Sequence, residues 1–321
     1  MPKVASSVTA PDNARIAGPT KRQPPCIFKP ALESASKDSL EKISILHKAI
    51  RHALLYYGAV VLSDFGVSRI DQFKEIVEDF STADLLKYAG GASPRSALAD
   101  GVYTSTEYPP EMPLALHNEL SYAAAYPRTL FFFCEMEPHI GGETTLGDSR
   151  RILSAIDPEI ADLFRSKGVL YVRNLVSDKT SQYSWQAAFE TDDREMAEEV
   201  CRRQGSHFEW TVGGGLRVSF IGPATMIHPE TGEEVWFNQA DGFHSGELQN
   251  PGRAERPRLE AYFGDASEIP KKALEHIRTV IRRETIPHRW KQGDILIIDN
   301  ILNAHGRMPF SGPRKIALAM A

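Results

Sequence analysis

The sequence predicts an α+β protein, on three observations. Helical periodicity fills the front of the chain up to Gly58; short apolar runs bounded by Gly, Pro, Asp or Asn recur from Ala59 onward; and further helical segments sit among those runs without a regular β-α-β alternation. No internal repeat and no second linker interrupts the chain, so one compact domain is expected over residues 29–321, behind a tail over residues 1–28.

The elements follow in order. The tail is rich in Pro, Ser and Ala and carries Lys3, Arg15, Lys21 and Arg22 against Asp12, without the apolar stretch of a secretory signal. Its composition predicts a solvated, disordered segment, with a transit peptide as the alternative. Leu40, Ile43, Leu46, Ile50 and Leu54 recur at three- and four-residue spacing and predict one amphipathic helix stopped by Gly58. Ala59 to Leu62 reads as a buried strand, and Phe73, Ile76, Val77 and Phe80 mark a second helix. Asp157-Pro158 opens another helix, with a capping side chain and a proline in the first turn, closed by Gly168. Thr191 to Gly205 and Pro270 to Arg283 predict two more. Thr129 to Cys134, Val235 to Phe237 and Ile295 to Ile298 read as strands, and Gly213-Gly214-Gly215 and Thr231-Gly232 as hairpin tips.

Composition excludes several function classes. The 321 residues are 42% hydrophobic and 25% charged, ordinary globular values, and the net charge of −5 gives no general pull toward nucleic acid or anionic membranes. The longest nearly apolar run, Ala53 to Leu62, is about half the length of a bilayer-spanning helix. Cys26, Cys134 and Cys201 are odd in number and far apart, which predicts a reducing, cytoplasmic setting rather than a disulfide framework.

Three histidines have an acid two places on: His117 with Glu119, His207 with Glu209, and His228 with Glu230. In a strand such a pair points to one face and can chelate one ion. Chance alone predicts about one such pair among ten histidines and 42 acids, so context must separate them. His228 lies in the polar turn His228-Pro229-Glu230-Thr231-Gly232, where a solvated histidine is expected, and His207 in a polar strand. His117 follows Pro113-Leu114-Ala115-Leu116 and precedes the aromatic run at Phe131 to Phe133, the setting of a core-lining strand. His305 follows the apolar run at Ile295 by a turn, and with His117 and Glu119 it completes two imidazoles and one carboxylate. That facial set leaves open positions on iron(II). Arg314, nine residues beyond His305, offers a planar fork that grips a carboxylate.

Four blocks in this order carry a specific resemblance: Leu116-His117-Asn118-Glu119-Leu120-Ser121-Tyr122, Gly141-Gly142-Glu143-Thr144, Gly293 to Asn300, and His305 to Arg314. From about residue 55 to the C-terminus the chain resembles iron(II)/2-oxoglutarate dioxygenases of the taurine-dioxygenase/clavaminate-synthase superfamily. The resemblance implies a double-stranded β-helix (jelly roll) with flanking and inserted helices. It places His117, Glu119 and His305 on iron, and Arg314 and Thr144 on the far carboxylate of 2-oxoglutarate. Tyr103 to Pro109, Asp148 to Arg151, Val235 to Ala240 and Ala304 to Arg307 are similar to the syringomycin-type branch, which includes aspartyl β-hydroxylases of nonribosomal peptide pathways. Leu120 and Asp241-Gly242 depart from that branch's pattern, which leaves the metal site alone and opens the question of substrate.

The implied reaction consumes O₂ and 2-oxoglutarate, releases succinate and CO₂, and hydroxylates an aliphatic C–H. The implied substrate is an amino acid or amino-acid-derived acid, free or tethered to a carrier protein, in a biosynthetic pathway. Desaturation, cyclisation and epoxidation are the alternatives with the same cofactors. Halogenating relatives replace the carboxylate ligand with a small residue; Glu119 is present, which favours oxygenation. A zinc hydrolase uses the same ligand types but leaves Arg314 without a role, and a non-catalytic jelly-roll binder has no reason to keep all three ligands. Glu107 is the candidate acceptor for a substrate ammonium and Arg307 the candidate carboxylate anchor, with Trp236 and Asn238 as further pocket residues.

Overall fold

The computed structural model describes residues 14–17, 22–31, 38–81, 85–86, 95–106, 108–244 and 258–321. Its main sheet has eight strands, in the order Ala14–Ala17, Cys26–Pro30, Ala59–Leu62, Ile295–Asp299, Thr129–Met136, Lys315–Met320, Val102–Thr104 and Ala97–Ala99. Every pairing in it is antiparallel except that of Cys26–Pro30 with Ala59–Leu62.

The central strands read as unbroken apolar runs because both faces of the sheet are covered. Alternate residues go to different cores. Val60, Leu62, Phe131, Phe133, Ile295 and Ile297 pack with Ile43, Ile50, Ala53, Phe73 and Val77 from the N-terminal helices. Val61, Phe132, Leu296, Ile298 and Leu318 pack into the larger core, which contains Leu146, Tyr171 and Trp290. A four-stranded antiparallel sheet contributes Leu146 to that core. Its order is Ile286–His288, Thr144–Asp148, Asn303–Arg307 and Leu114–His117. A third sheet, His207–Trp210, Leu216–Gly222, Val169–Leu175 and Leu259–Phe263, carries Tyr171.

The helices opened by Asp157 and closed by Gly168, and those over Arg194–Arg203 and Lys271–Glu284, match their expected spans, and both hairpin tips form, with Gly214 and Gly232 at φ of 78° and 70°. Two expectations need correction. The single front helix is two, Ser39–Ser44 and His47–Tyr57, broken at Ile45 and Leu46. The break aims the Ser44 hydroxyl and the His47 imidazole at Asp79 of the Ile70–Phe80 helix. The boundary at residue 29 is also late. Cys26–Pro30 is a strand whose Cys26 and Phe28 are wholly buried, because it pairs with Ala59–Leu62 and closes the helical core. All three cysteines are buried free thiols. No helix among the described residues is long and apolar enough to cross a membrane.

Candidate active site

The four-stranded sheet places the chemistry by register. Ile286, Leu146, His305 and His117 lie opposite one another in a row across the strands, and His288, Thr144, Arg307 and Leu114 form the next row. Residues two apart on a strand share a face, so His117, His305, Thr144, Arg307 and His288 sit on one face. The His305 ring stands 4.3 Å from that of His117 and 5.4 Å from that of Phe132 on the main sheet.

Glu119 reaches this cluster by a different route from the one expected. The strand ends at His117, and Asn118 to Glu119 enters a turn, so same-face alternation does not bring the carboxylate in. Asn300 does. Its side-chain oxygen accepts from the Glu119 N–H at 2.7 Å, and its amide nitrogen donates to the Glu119 carbonyl at 3.0 Å and the Pro127 carbonyl at 2.8 Å. Asn118 donates back to the Asn300 carbonyl at 2.6 Å. Leu120 follows at a φ of +54°, in the left-handed region where a non-glycine residue is strained. Asp299 holds the other side of this clamp: one carboxylate oxygen caps the N–H groups of Ile301 and Leu302 at 3.0 and 2.9 Å, turning the chain into the His305 strand. Its other oxygen meets the His228 ring at 3.0 Å. His228 is therefore a buried brace rather than the solvated turn residue expected, whereas His207 is exposed as expected.

One ligand atom each from His117, Glu119 and His305 falls within 4.8 Å of the others, the only such acid and histidine cluster with room for a metal ion among the described residues. Burial pushes the pKa of His117 down against the pull of Glu119, and that of His305 well below the usual histidine range, with His117 and Arg95 adding repulsion. Both rings are therefore neutral at neutral pH and keep a lone pair for a metal. Nδ1 of His117 lies 2.9 Å from the Ala115 carbonyl, so it carries the proton and leaves Nε2 to coordinate. The donor set fits a divalent iron with open positions.

Thr144 lies one row from this cluster, opposite Arg307, and Arg314 is a neighbour of Arg307. The Thr144 hydroxyl accepts from the Trp290 indole N–H at 3.0 Å, so its own proton is free to donate to an anion. Arg314 donates to the Gly142 carbonyl and to the Ser105 hydroxyl, both at 3.2 Å. Burial, with the neighbouring Arg307, lowers the Arg314 pKa to about 10. Both guanidiniums lie against Phe310, at 4.9 Å for Arg307 and 5.6 Å for Arg314. Among the described residues neither is ion-paired to a carboxylate, so the corner is electropositive and dry.

The proposed substrate residues fare differently. Arg307 gives its donors to the carbonyls of Tyr108, Pro109 and Met112, at 3.3, 2.8 and 2.8 Å, and so braces that loop rather than facing substrate. Trp236 is buried against Phe164 at 5.1 Å, as core. Asn238 spends its amide on the Ala224 carbonyl and its oxygen on the Ala240 N–H, at 2.9 and 3.1 Å, closing a turn. Glu107 lies outside the described residues. The cleft beside His117 and Glu119 is lined instead by Tyr108, Leu116, Tyr122, Gln239, Phe243 and Leu259. Gln239 is one residue beyond Asn238, and it donates to the Asn118 carbonyl at 2.8 Å. Sequence reasoning also missed Asn300, Trp290 and Arg95. Only Asn300 had a signal, its place in the Asp-Asn pair that ends a buried strand.

The chain is 36% identical, over 85% of both chains, to the dapdiamide synthesis protein DdaC of Enterobacter agglomerans. It is 32% identical to a clavaminate synthase-like protein of Arabidopsis thaliana, over 86% of this chain and 83% of that one. The crystal structure of PvcB from Pseudomonas aeruginosa superposes with a TM-score of 0.57 at 14% identity, covering 97% of this chain and 92% of that one, which shows a shared fold. A family model described as taurine catabolism dioxygenase TauD, TfdA family, matches residues 27–320. The chain belongs to that family, and it is an iron- and 2-oxoglutarate-dependent dioxygenase.

Proposed function

We propose that this enzyme hydroxylates an aliphatic C–H of an amino acid or amino-acid-derived acid, free or carrier-tethered, in a cytoplasmic biosynthetic pathway. The observation that carries the site is that His117, Glu119 and His305 bring one ligand atom each within 4.8 Å of the others, with Thr144 one row away. The name of DdaC, a dapdiamide synthesis protein, supports the biosynthetic setting. The resemblance of residues 103–109 and 235–240 to syringomycin-type hydroxylases, read from the sequence, supports an amino-acid-derived substrate. The four-stranded sheet facing the main sheet supports a jelly-roll reading of the fold.

In this reading His117, Glu119 and His305 hold the iron, and Arg314 and Thr144 hold the far carboxylate of 2-oxoglutarate. Iron with 2-oxoglutarate and O₂ supplies the oxidising power for C–H cleavage. The chain supplies position and dryness. Asn300 keeps Glu119 at the cluster, the Ala115 carbonyl fixes the His117 tautomer, and Trp290 orients the Thr144 hydroxyl. Tyr122, Phe243 and Leu259 exclude water from the cleft in which a substrate C–H must lie.

The test combines spectroscopy with product analysis. Anaerobic addition of 2-oxoglutarate to the iron(II)-loaded protein should give a visible iron-to-keto-acid band, absent in His305→Ala. A panel of free and carrier-tethered amino acids should then show succinate release with a gain of one oxygen atom. A band with turnover of other acids, but of no amino-acid derivative, would overturn the substrate class. Loss of two hydrogens in place of oxygen gain would assign desaturation.

A further inference from the structure

Gln239 lines the cleft and is held at three points. Its backbone N–H donates to the hydroxyl of the buried Tyr171 at 3.0 Å, and its backbone carbonyl accepts from the Phe243 N–H at 3.0 Å. Its side-chain nitrogen donates to the Asn118 carbonyl at 2.8 Å. A carbonyl can only accept, so this last contact fixes which way the amide is turned: Nε2 faces Asn118, and Oε1 is the atom left over. Among the described residues nothing donates to Oε1, and Gln239 is half-buried. Asn118 stands between His117 and Glu119, so the amide lies one residue from the metal set.

We infer that Oε1 of Gln239 accepts a hydrogen bond from an N–H of the substrate, ammonium or amide; this deepens the amino-acid reading above and rests on it. Among the residues lining the cleft, the carboxylate of Glu119 belongs to the metal set, and Gln239 carries the one other side-chain carbonyl oxygen. The Tyr108 hydroxyl already accepts from Arg258 at 2.9 Å, which favours it as a donor. Held at its backbone and at Nε2, the Gln239 amide is preorganised, so accepting a further bond costs little ordering. A substrate that displaces water from the cleft must supply a donor or leave Oε1 unpaired, and an unpaired buried acceptor is costly. An acid that lacks the N–H is therefore penalised, which makes Gln239 a specificity-determining residue. Because the amide lies beside Asn118, the nitrogen it recognises must sit close to the iron. The substrate class is thus an acid with its nitrogen within a few bonds of the carbon that is oxidised.

The test uses matched probes: alanine, valine and leucine, their N-acetyl derivatives, and the desamino acids propionate, isovalerate and isocaproate. Their binding to the protein loaded with iron(II) and 2-oxoglutarate is measured by calorimetry without O₂, so that no turnover intervenes. In the wild-type protein at least one nitrogen-bearing form should bind about tenfold or more tighter than its desamino counterpart. Tighter binding of the free amine assigns the donor to an ammonium, and of the N-acetyl form to an amide. Gln239→Leu should abolish the preference by weakening the nitrogen-bearing forms alone. Gln239→Glu, which keeps an acceptor oxygen and loses the donor to Asn118, should retain a preference, and both variants should keep the visible iron-to-keto-acid band. Equal weakening of all forms in Gln239→Leu, or loss of the band, would reduce Gln239 to a positioning residue for Asn118 and overturn the inference. So would a Gln239→Glu protein that behaves like Gln239→Leu, or a wild-type protein without the preference. An amino acid that gains oxygen in the product assay, yet binds no better than its desamino form, would sink this inference and leave the proposed function standing. Turnover of desamino acids alone would sink the amino-acid reading, and the inference with it.

Discussion

A side chain earns a role at this site by what it can still donate once its structural partners are counted. Arg307 and Arg314 are both buried cations against Phe310. Arg307 is committed to three loop carbonyls, whereas Arg314 makes two bonds and keeps donors for an anion. Arg314→Ala should therefore weaken 2-oxoglutarate binding by about 2–5 kcal/mol, the usual cost of truncating a buried charge pair. Arg314→Lys should recover only part, and iron affinity should be unchanged; a KM series in 2-oxoglutarate checks this. Asn300→Ala should lower metal affinity about 10–100-fold, as loss of an outer-sphere partner does, with Glu119 intact; calorimetric metal titration reads it. His288 gives a pH prediction. It lies in the Thr144 row, and burial pushes its pKa down from 6.5 to about 4. Between those values the unfolded chain binds a proton that the folded one refuses, so stability falls as pH drops through the window. Above pH 6.5 the contribution is fully present, and by pH 4 about 3 kcal/mol is lost. His288→Phe should flatten the dependence of the urea midpoint on pH from 6.5 to 4.

At the level of elements, the strand Asn303–Arg307 does most to bring the site together, since it pairs with Thr144–Asp148 on one side and Leu114–His117 on the other. Its register slips against the latter between His305 and Arg307. Gly306 sits at that slip, where an added Cβ would lie 2.4 Å from the Leu114 carbonyl oxygen and 2.7 Å from the Thr145 hydroxyl. Gly306→Ala must push the two strands apart, at a cost of about 1–3 kcal/mol for overpacking. The expected result is a lowered Tm together with a metal affinity reduced more than that of a surface variant of equal Tm. The paired glycines Gly141 and Gly142, both at φ of 71°, play a comparable part beside Arg314: a Cβ on the first would meet the Pro309 carbonyl oxygen at 2.2 Å, and one on the second the Pro138 ring at 2.7 Å.

Across the whole molecule, the eight-stranded sheet is a rigid wall with helices behind it and the site in front, and its edge reaches back into the first thirty residues. Phe28 is wholly buried in the helical core. Phe28→Ala should cost about 3–5 kcal/mol, as aromatic truncations in a core do, measurable as a lower urea midpoint with an unchanged denaturant slope. If residues up to 28 were a dispensable tail, the same substitution would leave stability unaltered. The site should survive it near neutral pH at low temperature, because His305 packs against Phe132 of the other, larger core.

Local pattern determined a good deal of this protein. The runs at Ala59, Thr129 and Ile295 are strands, Asp157-Pro158 and Gly168 bound a helix, and His-x-Glu followed by a late His marks the metal-ligand cluster. These features follow from side-chain period, capping chemistry and donor type, all properties of neighbours in the chain. Other features depended on partners far away in sequence. Glu119 converges through Asn300, 181 residues on, and Thr144 is oriented by Trp290, 146 residues on. Arg95 meets Glu119 across a gap that no motif spans. Arg307, Asn238 and Trp236 look from their neighbours like pocket residues, and only the packed structure shows that the Arg307 Nη groups and the Asn238 amide are held by backbone and that the Trp236 ring is core. A polar group's free capacity is what remains after burial and tertiary hydrogen bonding, and neither is settled until the strands pair.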